Sequence, residues 1–145
     1  MSNLFIPIVG GDYPKKIIPL IKSAKKNIDI VMYDWRWYGN NPAHVMQQVN
    51  IELVKAVNRG VTVRAVLNNS LIIPILQSVG IKARKLKQKR TLHNKMIIID
   101  NEILIVGSHN LTKNAMAINM EFSIVVSIPQ EVTRVSELFE NIFVI

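Results

Sequence analysis

Several residue types that often signal a protein's chemistry are absent or scarce in this sequence. The 145 residues contain no cysteine, which excludes disulfide bonds, thiol nucleophiles and cysteine-based zinc sites. There are only three histidines, and the carboxylates do not follow the spacings of metal-binding loops, so neither a metal site nor a cofactor is predicted. No apolar run is long enough to cross a bilayer, and the N-terminus lacks the pattern of a secretory leader. We therefore expect a cytoplasmic protein that is not bound to a membrane.

Acidic residues are also scarce, since 10 of them stand against 18 lysines and arginines, for a net charge of +8. This balance favours a polyanionic partner such as nucleic acid or anionic lipid. Six basic residues and no acidic one fall within residues 81–90, directly before His93. We predict that this stretch binds nucleic acid, and the alternative is a solvated edge strand and loop. The predicted contacts are Lys82, Arg84, Lys85, Lys87, Lys89 and Arg90.

Short apolar segments alternate with amphipathic ones along the whole chain, which predicts an α/β fold for a single domain over residues 1–145. Strand, helix and strand at 27–35, 40–60 and 61–68 form a βαβ unit, with Asn41 as N-cap and Pro42 in the first turn. We expect a mixed, mostly parallel sheet of about seven strands, flanked by helices on both faces. The other predicted strands are 4–9, 81–86, 121–128 and a hairpin that turns near Asn101; the other predicted helices lie within 14–26 and at 70–80 and 129–143.

Polar side chains are concentrated in one hairpin, LHNKMIIIDNEILIVGSHN. His93 and Lys95 are two residues apart, so on a strand they project from the same face. The second strand ends in Gly107 and Ser108, where a glycine lets backbone approach a ligand, and Asn110 adds an amide at the same end of the sheet. Fixed donors of this kind suit a phosphoryl group, and an imidazole beside them can attack phosphorus or transfer a proton.

The spacing of these residues, His-x-Lys, then Asp, then Gly-Ser-x-Asn, resembles the signature of the phospholipase D superfamily. The resemblance extends to the strand that ends in Tyr33, to the segment AVNRGVTVRAVL, and to Glu121, eleven residues after Asn110. A chain with one motif is similar to the compact nucleases of this superfamily, which work as homodimers. The resemblance implies a metal-independent phosphodiesterase, expected to be an endonuclease, that acts through a covalent phosphohistidine.

The resemblance also implies a role for each residue of the motif. The mechanism needs two motif histidines, so His93 is the nucleophile in one subunit and the general acid in the other, at an active site on the dimer's twofold axis. Lys95, Ser108 and Asn110 are implied to bind the phosphoryl oxygens. Glu121 is implied to hold the far nitrogen of His93, as carboxylates do in catalytic triads.

Asp100 is placed in the catalytic set as the aspartate of the signature, with two interpretations open. It either supports the site through hydrogen bonds or closes the hairpin turn. His109, in the variable position of Gly-Ser-x-Asn, departs from the apolar or aromatic residue expected there. It is included in the nucleic-acid-binding surface, although a packing or solvated role is the alternative. His44 is expected at the surface, in the first turn of a helix.

Trp35 and Trp37 are the other candidates for contact with nucleic acid. They share one face if their strand continues, and both base stacking and packing in the dimer interface are open interpretations. Nucleic acid is the expected partner, because two copies of a +8 chain attract a polyanion strongly. DNA is expected in preference to RNA. The alternatives are an enzyme that hydrolyses or exchanges phospholipid head groups, and a nucleic-acid-binding module without catalysis.

Overall fold

The computed structural model describes residues 4–144, in which seven strands form one sheet in the order β1-β7-β6-β5-β2-β3-β4. The strands are β1 (Phe5–Val9), β2 (Asn27–Met32), β3 (Thr62–Leu67), β4 (Lys82–Lys85), β5 (Lys95–Ile99), β6 (Ile103–Gly107) and β7 (Phe122–Val126). The helices are α1 (Asp12–Ser23), α2 (Val45–Asn58), α3 (Ile73–Ser78), α4 (Lys113–Ala117) and α5 (Pro129–Phe143). Residues 1–3 and 145, which the predicted domain included, lie outside the described residues.

The sheet is mixed and has seven strands, as predicted, but the prediction that it is mostly parallel is wrong. Strands β2, β3 and β4 pair in parallel, whereas the other four pairings within residues 4–144 are antiparallel. A parallel neighbour requires a long crossover connection, usually a helix. The chain after β4 contains no helix before β5, and the tight β5–β6 hairpin enters the sheet beside β2 in the antiparallel direction.

Helices cover both faces of the sheet, which confirms that prediction. Helices α1 to α4 pack on one face through residues such as Ile17, Leu53 and Leu76, and α5 packs on the other through Val132 and Phe139. Strand β5 is buried at every residue, because both of its faces meet helices. Its polar first residue is therefore held in a rigid part of the core.

The polar residues of the hairpin lie together where the central strands β2, β5, β6 and β7 begin or end. We call this end of the strands the site edge. Because β5 runs antiparallel to β2, Met32 at the end of β2 lies opposite Lys95 at the start of β5. Gly107 at the end of β6 lies opposite Ser123 near the start of β7. The hairpin turn at Asp100 lies at the opposite edge.

The start of α2 differs from the prediction. The helix begins at Val45, and its N-cap is His44, whose Nδ1 accepts a hydrogen bond from the backbone N–H of Met46 at 3.0 Å. Asn41 and Pro42 lie before the helix. A ring nitrogen of His44 thus caps the helix, the role that was predicted for Asn41.

The other helices follow the predicted pattern with local differences. Helix α5 has the predicted bounds, whereas α1 begins at Asp12 and continues through Pro19, held to the sheet by buried apolar residues on one face. The short helix α4 was not predicted, because five residues carry no detectable periodicity. Its first turn is capped by the Thr112 hydroxyl, which accepts from the N–H of Ala115. No helix of the described residues is both long and apolar enough to cross a membrane.

Candidate active site

Lys95 and His93 are in direct contact at the site edge. Lys95 is only 8% exposed, and its Nζ donates a hydrogen bond to the backbone oxygen of His93 at 2.8 Å. The same Nζ lies 3.1 Å from Nδ1 and 3.3 Å from Nε2 of the His93 ring. The nearly equal distances to the two ring nitrogens place the Lys95 side chain against the face of the imidazole. The neutral imidazole is the form that can attack phosphorus.

The surroundings of Lys95 shift its pKa in two directions. Burial is the larger influence and lowers the pKa of Lys95, while the negative charge of Glu121 acts to raise it; the net direction is down. The ring of Tyr33 lies beside both groups, 5.3 Å from Nζ of Lys95 and 4.8 Å from the ring of His93 between centroids. Tyr33 therefore forms one wall of the site.

Two backbone anchors hold the chain on either side of His93. The side-chain oxygen of Asn68, directly after β3, accepts from the N–H of Leu92 at 2.9 Å. The backbone oxygen of Asn94 accepts from the N–H of Tyr33 at 3.0 Å. Asn68 was not predicted as a site residue, because its only signal in the sequence is an asparagine at the end of the predicted strand 61–68.

The amide of Asn110 is oriented by a hydrogen bond to its oxygen. Its Oδ1 accepts from the backbone N–H of Asp34 at 3.1 Å, which fixes the orientation of the amide. Around this bond, the N–H of Leu111 donates to the Asp34 oxygen, and the N–H of Arg36 donates to the Leu111 oxygen. The segment after β2 and the segment after β6 are thereby tied together, with Nδ2 of Asn110 left as a donor.

Ser108 and Glu121 form a pair next to this donor. The Ser108 hydroxyl donates to Oε1 of Glu121 at 2.9 Å and accepts from the N–H of Phe122 at 2.9 Å. Within residues 4–144, the Glu121 side chain accepts a hydrogen bond from Ser108. Within this part of the chain it does not accept one from His93, the partner that the resemblance implied. Ser108 thus positions the carboxylate, since its single proton is used there.

Gly107 is required by the packing of β6 against β7. A Cβ at this position would collide with Ser123 and with the backbone oxygen of Phe122. Strands β6 and β7 therefore approach each other closely at the site edge. This approach brings Ser108 within reach of Glu121.

Asp100 lies about 16 Å from Lys95 at the usual rise of an extended strand, outside the group around His93. Its carboxylate accepts from the backbone N–H groups of Lys25, Lys26 and Asn27, at 2.9, 2.7 and 3.0 Å. Burial acts to raise the pKa of Asp100, but the three hydrogen bonds lower it, and the net direction is down. The assignment of Asp100 to the catalytic set is corrected: it closes the hairpin turn and ties it to the segment before β2.

His109 is 1% exposed, which corrects its assignment to a nucleic-acid-binding surface. Its Nε2 lies 2.9 Å from the backbone oxygen of Gly10, to which it must donate, and its Nδ1 lies 2.7 Å from Oγ of Ser123. The ring stacks on Tyr13 with centroids 4.1 Å apart. Burial lowers the pKa of His109, while the bond to Gly10 and a nearby carboxylate act to raise it. The packing interpretation is the one that fits.

The two tryptophans differ in exposure, because β2 ends at Met32 and does not continue through them. Trp35 is 3% exposed, and its Nε1 donates to Oδ1 of buried Asn50 at 2.9 Å. Its predicted contact with nucleic acid is therefore corrected to a core role. Trp37 is half-buried and retains accessible surface.

The six basic residues of the predicted binding stretch are all exposed, but they do not form one group. Lys82 begins the edge strand β4, away from the site edge. The guanidinium of Arg84 packs over the ring of Phe143 at 4.3 Å and donates to its backbone oxygen. The four that follow lie at the end of β4 and in the segment leading to His93. They are Lys85, Lys87, Lys89 and Arg90.

Among residues 4–144, no three histidine, aspartate or glutamate side chains come together in a group that could hold a metal ion.

The imidazole of His93, the buried side chain of Lys95 and the oriented amide of Asn110 all lie at the site edge. The family described as "Cardiolipin synthase, PLD-like domain" matches residues 17–143. The chain belongs to this family, within the phospholipase D superfamily.

Known proteins share both the fold and part of the sequence. The chain superimposes on NucT from Helicobacter pylori with a TM-score of 0.80 and 19% identity, covering 97% of this chain and 96% of NucT. For Nuc from Salmonella typhimurium, a phospholipase D family member, the TM-score is 0.77 and the identity 26%, over 96% and 94% of the two chains. Cardiolipin synthase A of Pectobacterium carotovorum is 29% identical over 129 residues, which cover 76% of this chain and 26% of the synthase. The chain spans well under half of the length of the curated relatives that it matches.

Proposed function

We propose that the chain is a metal-independent phosphodiesterase that cleaves nucleic acid, as an endonuclease, with His93 as the nucleophile. The observation that carries the proposal is the contact of the buried Lys95 side chain with the imidazole ring of His93. Nδ2 of Asn110 supplies a second donor at the same edge. Donors fixed before the reaction can stabilise the negative charge that grows on the phosphoryl oxygens.

The reaction follows from these groups in two displacements. A ring nitrogen of His93 attacks phosphorus, and the bond from phosphorus to the leaving oxygen breaks as the His93 of a second copy donates a proton to that oxygen. A water molecule then attacks the phosphohistidine, gives its proton to the second histidine, and releases the first imidazole. The phosphoryl group ends on the water oxygen, and both imidazoles return to their starting protonation.

The active site is proposed to form between two copies, because one chain carries a single motif histidine. A twofold axis brings identical residues together, so a second His93 can face the first across the axis. Exposed apolar side chains border the site edge beside Glu121 and offer a surface for the second copy to cover. They are Val9, Ile118, Met120 and Phe122.

Nucleic acid is the proposed substrate because of the charge around the site. The net charge is +8, and the exposed cations from Lys85 to Arg90 lead directly to His93. Contacts between such cations and phosphates supply affinity that falls steeply with salt. DNA is the proposed preference over RNA.

A second candidate is hydrolysis or exchange of phospholipid head groups. The match to the cardiolipin synthase family over residues 17–143 favours it, since both reactions break a phosphodiester bond. A third candidate is a module that binds phosphate without turnover. The contact between Lys95 and His93, whose imidazole can act as a nucleophile, favours catalysis over this module.

The test is cleavage of labelled single- and double-stranded DNA and RNA in excess EDTA, with cardiolipin and phosphatidylglycerol vesicles in parallel. The parent protein and His93→Ala are compared, with His44→Asn as a histidine control that can still cap α2. We expect the parent and the control to cleave nucleic acid and His93→Ala to be inactive. Turnover of lipid alone would establish the second candidate, and binding without any turnover would establish the third.

A further inference from the structure

Trp37 lies between two depressions at the surface near the site edge. One depression, of about 250 Å³, also includes Leu71 and Ile75. The other, of about 380 Å³, includes Tyr38 and again Ile75. The indole packs partly against the core and borders both depressions, whereas Trp35, on the lining of the first depression, is 3% exposed.

The backbone on both sides of Trp37 is fixed by α2. Nδ2 of buried Asn50 donates to the backbone oxygen of Arg36 at 3.1 Å. Oε1 of buried Gln47 accepts from the N–H of Tyr38 at 2.8 Å, and the two amide side chains bond to each other at 2.8 Å. A side chain carried on fixed backbone loses little conformational freedom when it binds a ligand.

Apolar surface and cations are interleaved around the indole. Leu71 is 87% exposed and lines the first depression together with Trp37 and Ile75. Arg36 is exposed, and Nζ of Lys113 lies 4.7 Å from the ring of Tyr38. Aromatic faces for bases and cations for the backbone are the combination that binds single-stranded nucleic acid.

The two depressions, which we together call the Trp37 groove, adjoin the candidate active site at Asp34, which also lines a depression with Asn110. The N–H of Asp34 donates to Asn110, and its carboxylate pairs with Arg36 at 3.0 Å on the lining shared with Trp37. Residues 34 to 37 span about 10 Å at the rise of an extended chain. A nucleotide next to the scissile phosphate can reach across that distance.

A membrane surface fits this groove less well than a nucleic acid. The apolar side chains are separated by Asp34, Asn40, Asn41 and Asn69, which line the same two depressions. A lipid-facing surface requires continuous apolar area. The net charge of +8 complements a polyanionic strand.

We infer that Trp37 is a stacking platform for an unpaired base of a single-stranded nucleic acid whose scissile phosphate lies at His93. This inference rests on the proposed function and deepens it by naming single strands as the preferred substrate. In a duplex the bases are stacked on each other and paired, so the indole face cannot be used. Single strands therefore gain a contact that duplexes lack.

The experiment measures binding in the His93→Ala background, where no turnover is needed. Fluorescence anisotropy compares the binding of a single-stranded oligothymidylate with that of a duplex of equal length. The proteins are His93→Ala alone and His93→Ala combined with Trp37→Ala or with Trp37→Phe. We expect Trp37→Ala to weaken single-strand binding by about 5- to 150-fold, the range for loss of one stacked base, and Trp37→Phe to retain most of it. Leu138→Ala, which truncates an exposed apolar side chain on α5, is the control and is expected to bind as before.

Tryptophan emission gives a second readout. The oligothymidylate is expected to quench the indole emission, and the quenching is expected to be lost in Trp37→Phe, where buried Trp35 is the remaining tryptophan. Equal affinity for the single strand in the proteins with Trp37 and with Trp37→Ala would overturn the inference. An emission shift with cardiolipin vesicles and none with the oligothymidylate would also overturn it, in favour of a membrane contact. Failure of the proposed function is seen separately, as absence of cleavage by the parent.

Discussion

The ammonium group of Lys95 lies 3.1 Å from Nδ1 of His93 and 2.8 Å from the backbone oxygen of the same residue. Strand β5, buried along its whole length, holds this contact in place before any substrate is bound. The core thus sets the Lys95 side chain and the proposed nucleophile, His93, in position relative to each other.

Lys95→Met is predicted to separate catalysis from stability. The substitution keeps an unbranched side chain of similar length but removes the charge, and burial already lowers the pKa of this lysine, which shows that the charge is poorly solvated. We expect unchanged or slightly increased stability against urea and a rate of cleavage lower by about 10²- to 10³-fold. Full activity in this variant would exclude Lys95 from phosphoryl stabilisation.

Asn110→Asp tests the donor role of the amide. The carboxylate can still accept the hydrogen bond from the N–H of Asp34, so the fold is expected to persist. The donor that faces the ligand becomes an acceptor and repels the phosphoryl oxygens. We expect cleavage to fall by about 10²-fold or more, measured beside circular dichroism as a check on folding. Parental activity would show that Nδ2 does not contact the substrate.

Asp100→Asn is predicted to affect stability and leave the chemistry intact. The carboxylate accepts three backbone N–H groups, and a neutral amide holds them less strongly. We expect a loss of about 1–2 kcal/mol in the free energy of unfolding, the lower part of the range for charged hydrogen bonds because these amides are partly exposed. The rate per folded molecule at saturating substrate is expected to match the parent.

The pH dependence of stability provides a check on the same residue. The pKa of Asp100 is lower in the folded state than its ordinary value of 3.8. Its contribution is therefore present above that value and is lost as the pH falls through the folded pKa. Acid unfolding that is identical in the parent and Asp100→Asn would contradict this role.

His109 is predicted to give stability a second dependence on pH. Its pKa is below its ordinary value of 6.5 in the folded state, so between the folded pKa and 6.5 the unfolded chain binds more protons. Stability is then full above 6.5 and falls as the pH decreases through that window. The groups facing the ring are Tyr13, Ser123, Gly10 and the charge of Glu121.

The measurement is urea unfolding between pH 5 and 7.5 for the parent and His109→Phe. Phenylalanine retains the stack on Tyr13 but cannot be protonated, so we expect a less stable protein with a shallower slope of stability against pH. Equal slopes in the two proteins would show that His109 does not contribute the proton linkage.

The local pattern of the sequence was sufficient for the hairpin and for the grouping of His93, Lys95 and Asn110. Both rest on short-range rules: side chains two apart share a strand face, and the two strands of a hairpin meet again at one edge. The bounds of α5 followed from an equally local signal, the regular spacing of its apolar residues.

The errors came from contacts between distant parts of the chain. Asp100 belongs to the same motif as Lys95, but five residues of strand carry it to the opposite edge, where it meets Lys25. His109 is enclosed by Gly10 and Tyr13, which local periodicity cannot place near it. The antiparallel neighbours in the sheet were missed for the same reason, since periodicity identifies strands but not the order in which they pair.

The most direct test of covalent chemistry at His93 is the stereochemical course of cleavage. The substrate is a phosphorothioate diester of one configuration at phosphorus, cleaved in ¹⁸O-labelled water with excess EDTA. Two in-line displacements, each of which inverts phosphorus, predict overall retention of configuration, and His93→Ala is predicted to give no product. Inversion would show direct attack by water and would contradict the phosphohistidine intermediate.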